Sequence, residues 1–358
     1  MKNKYTFLPS YSIGADAYKN IENVCTLYGN KVVLIGGKTA LSKTESKVKS
    51  ALPKEFKVLD TLWYGGEATF ENAEMLAKNK NVQEADMVFA IGGGKSIDTC
   101  KSLCEDLNKP LFTFPTIAGT CAPVSEVSAM YYKDGVFRCA RGYDKPPVHC
   151  FINTKIIAEA PDIYLWAGIG DTLAKAYEPE FSTRNIELNH ANAVGVSLSV
   201  MCGEPLRKYG KKGLEDCKQN KVSRELEETV LGIIVSTGLA SNYLDLDYNS
   251  AVAHAMCYGF TTLKQIEENH LHGEVVSYGV LVQLMLDNKL EVIDKLFPFY
   301  KEVGLPTKLA DLDVSLDELD GVLEKAVSVP DLNSVAFKVH EYNLRKAVLE
   351  LEKYNEEK

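Results

Sequence analysis

The first half of the chain alternates short apolar runs with longer amphipathic stretches. Four runs rich in Val, Ile, Leu and Phe end at glycine or proline; they are KVVLIGG (31–37), FKVLDTLWYGG (56–66), DMVFAIGGG (86–94) and PLFTFPT (110–116). The stretches between them, such as TALSKTESKVKSAL (39–52), carry apolar residues at three- and four-residue spacing. Short buried strands that alternate with helices of this length predict a parallel sheet covered by helices on both faces.

After about residue 160 the strand signals fade, and apolar residues recur with the helical period. This pattern runs through 161–181, 223–244, 273–288 and 336–358. The connecting segment YYKDGVFRCARGYDKPPVHCFIN (131–153) contains Gly and paired Pro, so we expect a hairpin or loop followed by a last strand. The chain is therefore predicted to have a Rossmann-like α/β domain at 1–160 and an all-α helical bundle domain at 161–358.

The composition is that of an acidic globular protein. Of the 358 residues, 46% are hydrophobic and 25% are charged, and the formal net charge is −9 at pH 7. Nucleic acids and anionic membranes bind clustered basic charge, so we expect neither as a partner. The segment MKNKYTFLPSYSIG (1–14) lacks the apolar core of a signal peptide. Together with nine cysteines that show no repeated CxxC spacing, this predicts a cytoplasmic protein with reduced thiols.

The sequence AIGGGKSID (90–98) places three glycines between a buried strand and a helix. Glycines let the backbone turn tightly and approach a phosphate, and the helix that follows offers free N–H groups and a partial positive charge. A tight strand-to-helix turn that binds no ligand would have the same sequence. FPTIAGT (114–120) ends the next strand with Thr116, Gly119 and Thr120, so both turns are expected at one edge of the sheet. Two adjacent turns of small polar residues indicate a nucleotide cleft.

Asp171, His254 and the pair His270 and His272 are the candidate metal ligands. Asp171 is equally suited to cap its helix or to pair with Lys175, and His254 could be a core histidine bonded to a carbonyl. His270 and His272 are two residues apart, and on a helix such neighbours point about 200° from each other. One of them is therefore expected to be a ligand, and the other to support the ligand or face the substrate. A carboxylate with two imidazoles is typical of a catalytic metal site with an open position.

Five motifs, in this order and spacing, together resemble the iron-containing alcohol dehydrogenase superfamily and its glycerol dehydrogenase-like branch. They are GGGKSIDTCK (92–101), PTIAGT (115–120), AGIGDTLAK (167–175), AVAHA (251–255) and LHGEVVSYG (271–279). The resemblance implies the fold shared with dehydroquinate synthase, with NAD(P) and a divalent metal in a cleft between two domains. It implies Asp171, His254 and His272 as metal ligands. The dinucleotide contacts it implies are Gly93, Gly94, Lys95, Asp98, Thr116, Thr120, Ser125, Val127 and Tyr131.

Three residues refine what the resemblance implies. Lys175 stands where strictly iron-dependent members have a further histidine, which favours three protein ligands and Zn²⁺, with Fe²⁺ as the alternative. Cys121 replaces an aspartate that faces the polyol in glycerol dehydrogenases, and GTCAP (119–123) is more similar to hydroxycarboxylate dehydrogenases. Loss of that carboxylate removes repulsion of an anionic substrate, beside which Cys121 is expected as a small wall residue. Lys38 follows an early strand where an acid usually binds the ribose of NAD, so we expect NADP(H) unless Lys38 is merely solvent-exposed.

The resemblance implies a metal-dependent, NAD(P)-linked dehydrogenase that transfers hydride between nicotinamide C4 and a small hydroxy compound. The substrate we expect is a 2-oxo or 2-hydroxy carboxylic acid, with glycerol or another polyol as the alternative. His270 is a further candidate, as a proton relay beside the metal. Two other functions stay open, namely a 3-dehydroquinate synthase-like lyase and a nucleotide-binding regulatory protein with a degenerate site. A homo-oligomer is expected.

Overall fold

The computed structural model describes residues 7–358, in which six strands form one sheet and two form a hairpin. The sheet consists of β1 (Ser10–Ile13), β2 (Lys31–Gly36), β3 (Lys57–Trp63), β4 (Met87–Gly92), β5 (Leu111–Pro115) and β8 (His149–Ile152). The antiparallel hairpin consists of β6 (Val127–Tyr131) and β7 (Phe137–Gly142). The sheet order is β1-β8-β5-β4-β2-β3, and every neighbouring pair is parallel. The predicted parallel sheet is confirmed.

Helices surround this sheet and make up every element after β8. Those of the N-terminal part are α1 (Ile21–Cys25), α2 (Lys38–Ala51), α3 (Phe70–Ala77), α4 (Lys80–Glu84), α5 (Gly94–Leu107) and α6 (Thr154–Ala158). Those that follow are α7 (Asp162–Thr183), α8 (His190–Ser199), α9 (Glu204–Lys218), α10 (Arg224–Leu231), α11 (Thr237–Tyr243), α12 (Val252–Phe260), α13 (Lys264–Asn269), α14 (His272–Leu286), α15 (Leu290–Val303), α16 (Leu319–Ser328) and α17 (Glu341–Glu357). The helical C-terminal part is thereby confirmed, whereas a domain division at residue 160 stays a prediction. Within residues 7–358, no helix has both the length and the apolar character needed to cross a membrane.

The apolar pattern does not predict β1, which lies at the edge of the sheet. Its sequence SYSI alternates polar and apolar residues over only four positions, and none of them is fully buried. Backbone pairing with β8 holds the strand in place, with Ser10 opposite His149. The hydroxyls of Ser10 and Ser12 lie 2.6 and 2.9 Å from the two ring nitrogens of His149. His149 is distant in the chain from Ser10 and Ser12, so the local pattern of apolar residues cannot predict these contacts.

Successive residues of the central strands pack on opposite faces of the sheet. On one face the rings of Phe89 and Phe114 lie 4.8 Å apart, within a cluster of buried apolar side chains. On the other face Val88 and Ala90 belong to a separate apolar cluster. Strands buried on both faces explain the near-continuous apolar runs in the sequence. A third and larger cluster lies mainly among the helices from α7 to α17.

Candidate metal and nucleotide site

Three helices approach one another at backbone distance around a set of glycines. A Cβ atom on Gly273 of α14 would lie 2.0 Å from the carbonyl oxygen of Ala167 in α7. One on Gly279 of α14 would lie 2.4 Å from the carbonyl oxygen of Ala253 in α12. Only glycine fits such contacts, because any side chain would overlap the neighbouring backbone. The motifs AGIGDTLAK, AVAHA and LHGEVVSYG therefore meet in space, although they are far apart in the chain.

Asp171, His254 and His272 converge where these helices meet. Asp171 Oδ1 lies 3.6 Å from His254 Nε2 and 3.5 Å from His272 Nε2, and one ligand atom from each residue lies within 4.8 Å of the others. Within residues 7–358, no other group of three or more His, Cys, Asp or Glu side chains converges in this way. The His272 side chain is 36% exposed, so the cluster is reached from one side. One carboxylate and two imidazoles suit Zn²⁺ or a related divalent ion, so the residues present fit such a metal.

The electrostatic environment of this cluster favours positive charge at both imidazoles. Burial alone would raise the pKa of the Asp171 carboxyl, but hydrogen bonds with His254 and His272 hold that pKa well below its usual range. Burial alone would lower the pKa of His254, but the carboxylates of Glu178 and Asp171 hold it well above its ordinary value. Burial alone would also lower the pKa of His272, but Cys257 and Asp171 raise it to about 10. A divalent ion would replace these protons, because a metal binds only deprotonated imidazole.

Glu178 orients His254 and was not identified from the sequence. Its Oε2 lies 2.6 Å from His254 Nδ1, and its Oε1 accepts hydrogen bonds from the amides of Ala251 and His254 at 2.7 and 3.0 Å. The carboxylate can only accept, so Nδ1 carries the proton and Nε2 is left facing Asp171. Glu178 is fully buried. Its position seven residues after Asp171, on the same helical face, is the signal that the sequence contains.

Cys257 has the corresponding position beside His272. Its Sγ lies 3.5 Å from His272 Nδ1 and 3.9 Å from the His272 carbonyl oxygen. Once a metal has displaced the imidazole proton, Nδ1 can donate to sulfur and the thiol to the carbonyl, which leaves Nε2 of His272 unprotonated and facing Asp171. Cys257 follows His254 by three residues on α12. One face of α12 therefore carries both His254 and the residue that contacts the ring of His272. All nine cysteines are free thiols.

His270 lies outside the cluster. Its Nδ1 lies 3.0 Å from Glu274 and its Nε2 lies 3.3 Å from Asp313, so both ring nitrogens already have carboxylate partners. Glu274 also accepts a hydrogen bond from the Leu271 amide at 3.0 Å, at the start of α14. These contacts give His270 a role in holding the beginning of α14, directly before His272. His270 does not belong to the group formed by Asp171, His254 and His272.

The two small-residue turns lie side by side at the carboxyl edge of the sheet. Gly93 precedes α5, and a Cβ atom there would lie 2.7 Å from Cδ1 of Ile117 in the second turn. A Cβ atom on Gly94 would lie 3.2 Å from Thr120 Oγ1, and the Thr116 amide donates to the Gly92 carbonyl at 3.1 Å. The first turn thus presents the N-terminal amides of α5 next to the threonines of the second. This arrangement is suited to a phosphate group.

Packing of α7 joins the second turn to the metal-ligand candidates. A Cβ atom on Gly168 would lie 2.2 Å from the carbonyl oxygen of Ala118, within IAGT. Gly168 precedes Asp171 by three residues on the same helical face. Helix α7, which carries Asp171, therefore packs directly against the second turn.

Asp98, Ser125 and Val127 take part in a buried network that anchors the hairpin. Lys101 Nζ lies 3.0 Å from Asp98 Oδ1, and it donates to Ser125 Oγ at 3.2 Å and to the Val127 carbonyl at 2.7 Å. Asp98 Oδ2 accepts from the Ala129 amide at 3.2 Å. Lys101, which the sequence did not single out, neutralises the Asp98 carboxylate. These side chains hold β6 against α5, and a role for Asp98 in binding the dinucleotide stays a prediction.

Lys95 and Tyr131 lie at the open side of the first turn. Lys95 Nζ lies 2.6 Å from Glu67 Oε2 and 5.5 Å from the ring centre of Tyr131. Burial raises the pKa of Tyr131 above its usual range, so the phenol stays protonated at neutral pH. The Tyr131 ring packs edge-on against Phe137, which stacks on Tyr258 of α12 at 4.5 Å. An aromatic contact thus joins the hairpin to the helix that carries His254.

Cys121 lies in the segment that follows β5, and Lys38 lies in the segment that follows β2. Burial raises the pKa of the Cys121 thiol. The positive charges of Lys175 and Lys101 partly lower that pKa, and the negative charge of Asp171 raises it further. A neutral thiol is no activated nucleophile. Lys38 begins α2 directly after β2, and its Nζ lies 4.6 Å from the ring centre of Trp63. Lys38 therefore follows an early strand, as expected, and its ammonium group packs against the indole ring of Trp63.

Comparison with known proteins finds similarity over most of the chain. Residues 9–146 match the family model described as iron-containing alcohol dehydrogenase. The chain is 36% identical over 271 residues to a glycerol dehydrogenase of Thermotoga maritima, covering 74% of this chain and 73% of the relative. It is 31% identical over 306 residues to hydroxycarboxylate dehydrogenase A of Escherichia coli, covering 82% and 81%. The crystal structure of glycerol dehydrogenase from Schizosaccharomyces pombe matches with a TM-score of 0.89 at 25% identity, over 100% of this chain and 92% of that chain.

Proposed function

This chain belongs to the iron-containing alcohol dehydrogenase family and is an oxidoreductase acting on alcohols, and from that premise we propose a metal-dependent, NAD(P)-linked dehydrogenase of small 2-hydroxy and 2-oxo acids. The observation that carries the proposal is the convergence of Asp171, His254 and His272, together with the contact of α7 with the turn at 115–120. The relatives are named dehydrogenases, so a lyase of the 3-dehydroquinate synthase type is not pursued. The expected homo-oligomer stays a prediction.

Asp171, His254 and His272 would hold a divalent ion, for which we propose Zn²⁺ because one carboxylate and two imidazoles are a common donor set for zinc. Fe²⁺ is the alternative. Such an ion supplies Lewis-acid polarisation of the substrate hydroxyl or carbonyl group. Glu178 and Cys257 keep the Nε2 atoms of the two histidines directed at Asp171, so the three donors are preorganised. The intact set disfavours a regulatory protein with a degenerate site.

The coenzyme would bind with its phosphates at the N-terminus of α5, against Gly93, Gly94 and Thr120. The amides of that turn and the helix dipole stabilise negative charge there. NAD(P) supplies or accepts the hydride. We propose NADP(H) as the preferred coenzyme, since Lys38 provides a cation at the end of β2, where a 2′-phosphate would lie.

A 2-oxo acid is favoured as substrate by the neutral Cys121 and by the relative named hydroxycarboxylate dehydrogenase A. Glycerol is the second candidate, because the Thermotoga maritima relative is named glycerol dehydrogenase. The two differ in charge, and a cleft wall without a carboxylate at residue 121 suits the anion better. Coenzyme-linked assays with both substrate classes separate them directly.

The proposed function predicts a higher kcat/KM for straight-chain 2-oxo acids than for glycerol or 1,2-propanediol. Protein stripped with a chelator and reloaded with Zn²⁺ or Fe²⁺ would be assayed with each substrate, using both NAD(H) and NADP(H). Activity should be lost on stripping and return on reloading, because the substrate oxygen needs polarisation. Full activity in stripped protein would contradict the metal requirement, and preference for glycerol would contradict the substrate class.

Replacing Glu178 with glutamine should weaken Zn²⁺ binding about 10- to 100-fold. The amide is similar in size to the carboxylate, but its single carbonyl oxygen cannot accept all three N–H groups that Glu178 now accepts. Calorimetric titration of stripped protein with Zn²⁺ measures the effect. Glu180→Gln on the same helix, where the side chain is exposed and paired with Arg184, is the control and should bind Zn²⁺ as the wild type does. Unchanged affinity in Glu178→Gln would show that His254 needs no such support.

A further inference from the structure

Lys175 is a buried lysine without a carboxylate partner in residues 7–358. Lys175 is only 7% exposed. Its Nζ donates to the Asn249 carbonyl at 2.5 Å and to Asn249 Oδ1 at 2.9 Å. The other buried lysine, Lys101, is paired with Asp98 at 3.0 Å. A buried ammonium normally has a counter-charge, because desolvating an uncompensated cation is costly. The third N–H of Lys175 has no acceptor among the described residues.

The ammonium of Lys175 is held firmly where it lies. Asn249 Nδ2 donates to the carbonyl oxygens of Ser241, Leu244 and Asp245, which fixes the direction of its side-chain oxygen. That oxygen and the Asn249 carbonyl form the two acceptors for Nζ. Both acceptors are neutral, so they orient the charge without neutralising it. Lys175 therefore holds a fixed ammonium group that forms no ion pair with any described residue.

The face of α7 that carries Lys175 also carries Asp171 and Glu178. Gly168, Asp171, Lys175 and Glu178 follow one another at spacings of three and four residues, so they form a single stripe. Gly168 contacts the turn at Ala118, Asp171 belongs to the metal-ligand candidates, and Glu178 supports His254. Lys175 lies between Asp171 and Glu178 on this stripe. Residues four apart on a helix have Cβ atoms about 6 Å from each other, so Lys175 is close to Asp171.

The turn that faces this stripe adds no negative charge. Cys121 lies three residues after Ala118, which α7 contacts through Gly168, and its thiol is neutral. The positive charge of Lys175 partly opposes the burial that raises the pKa of the Cys121 and Cys202 thiols. Lys175 is therefore a fixed cation beside neutral thiols, while the two carboxylates on its stripe have other partners, Asp171 in the metal-ligand cluster and Glu178 in its contact with His254. This cation is complementary to a small organic anion.

We propose that Lys175 binds the carboxylate of the substrate. In a 2-oxo acid the carboxyl carbon is bonded directly to the reacting carbon, so an anchor must lie within one helical turn of the groups that bind the reacting oxygen. Lys175 satisfies this condition by its position one turn after Asp171. The proposal rests on the proposed function and assigns the residue that selects acids over neutral alcohols. Asp171, His254 and His272 would hold the reacting end, and Lys175 the charged end.

Lys175→Met tests the proposal through a specificity ratio. The ratio of kcat/KM for a 2-oxo acid to kcat/KM for 1,2-propanediol should fall at least about 30-fold, because the paired charge is removed for the acid alone. Lys175→Arg keeps the charge and should retain part of the acid preference. Lys218→Met, at an exposed position on α9, is the control and should leave the ratio unchanged. An equal loss for both substrates, or no change in the ratio, would overturn the assignment.

A binding measurement separates failure of this proposal from failure of the proposed function. Oxamate, an unreactive analogue of a 2-oxo acid, would be titrated calorimetrically into Zn²⁺-loaded protein with reduced coenzyme. Wild-type protein should bind oxamate, and Lys175→Met should bind it at least about 30-fold more weakly. If wild type turns over only glycerol while Lys175→Met loses oxamate binding, the proposed substrate fails, although Lys175 still binds a carboxylate. If Lys175→Met binds oxamate as wild type does, the anchor fails whatever the substrate.

Cys121→Asp provides an independent variant that keeps Lys175. A carboxylate at residue 121 would compete with the substrate for the ammonium, so oxamate affinity should fall at least about 10-fold. Cys121→Ser alters the side chain at the same position without adding charge and should bind oxamate more tightly than Cys121→Asp does. Equal affinity in Cys121→Asp and Cys121→Ser would contradict a cationic subsite here.

Discussion

Replacement of Asp171 by asparagine should lower kcat/KM at least about 10³-fold, with the fold intact. Asp171 Oδ1 lies 3.5–3.6 Å from Nε2 of both His254 and His272, so it is the single anion shared by the cluster. A neutral amide of the same shape cannot balance the charge of a divalent ion, and the several kcal/mol of polarisation that the ion supplies would be lost. Steady-state kinetics and the Zn²⁺ content of the purified variant measure this effect.

Asp162→Asn is the control for this substitution. Asp162 is the first residue of the same helix α7 and lies outside the cluster. Its charge interacts favourably with the helix dipole, so the change should cost about 0.3–1 kcal/mol of stability and leave turnover unaltered. Circular dichroism and thermal unfolding should be near those of wild type for both variants. If Asp171→Asn retained its Zn²⁺ and more than a tenth of wild-type activity, the cluster would not be the reacting centre.

Gly273→Ala should lower the free energy of unfolding by about 3 kcal/mol or more, because the new methyl group cannot be accommodated. Its Cβ atom would lie 2.0 Å from the Ala167 carbonyl oxygen and 3.0 Å from the Asp171 Cβ, so α14 must move away from α7. Alanine otherwise favours a helix over glycine by about 1 kcal/mol, so a loss of stability reports the helix contact itself. The movement would also separate His272 from Asp171. Denaturant unfolding and Zn²⁺ titration should therefore both show a loss.

Gly321→Ala is the matched control, since it makes the same change in a helix with open space. No heavy atom lies within 4 Å of a Cβ atom built on Gly321, which lies in α16. This variant should be more stable than wild type by about 0.5–1 kcal/mol, because alanine loses less conformational freedom in a helix. A Gly273→Ala variant that gained stability as Gly321→Ala does would show that the close contact does not restrict residue 273.

The parts of the fold that local patterns describe could be predicted. The runs at 31–37, 86–94 and 110–116 are strands because both of their faces are buried, and burial leaves a continuous apolar run in the sequence. β1 could not be predicted, because its stability comes from pairing with β8 and from contacts with His149. The helices after residue 160 retain the 3.6-residue period that their burial requires.

The candidate site was only partly accessible from the sequence. Each of Asp171, His254 and His272 has an ordinary structural explanation by itself, and the resemblance of five motifs is what joined them. Glu178 and Cys257 were missed because their partners are ring nitrogens fixed by helix packing. Lys175 could pass for one half of an ion pair with Asp171, since the two are four residues apart. Its Nζ instead donates to Asn249, in a different part of the chain.

The sequence by itself determined the sheet and the helical second half. These features follow from strand and helix periods, which are properties of neighbouring residues. Only the tertiary structure decided which polar residues share a site, that His270 lies outside it, and that Lys175 is buried with no carboxylate partner in residues 7–358. The physical reason is that burial, hydrogen bonding and charge compensation depend on the packing of distant segments, here through Gly168, Gly273 and Gly279.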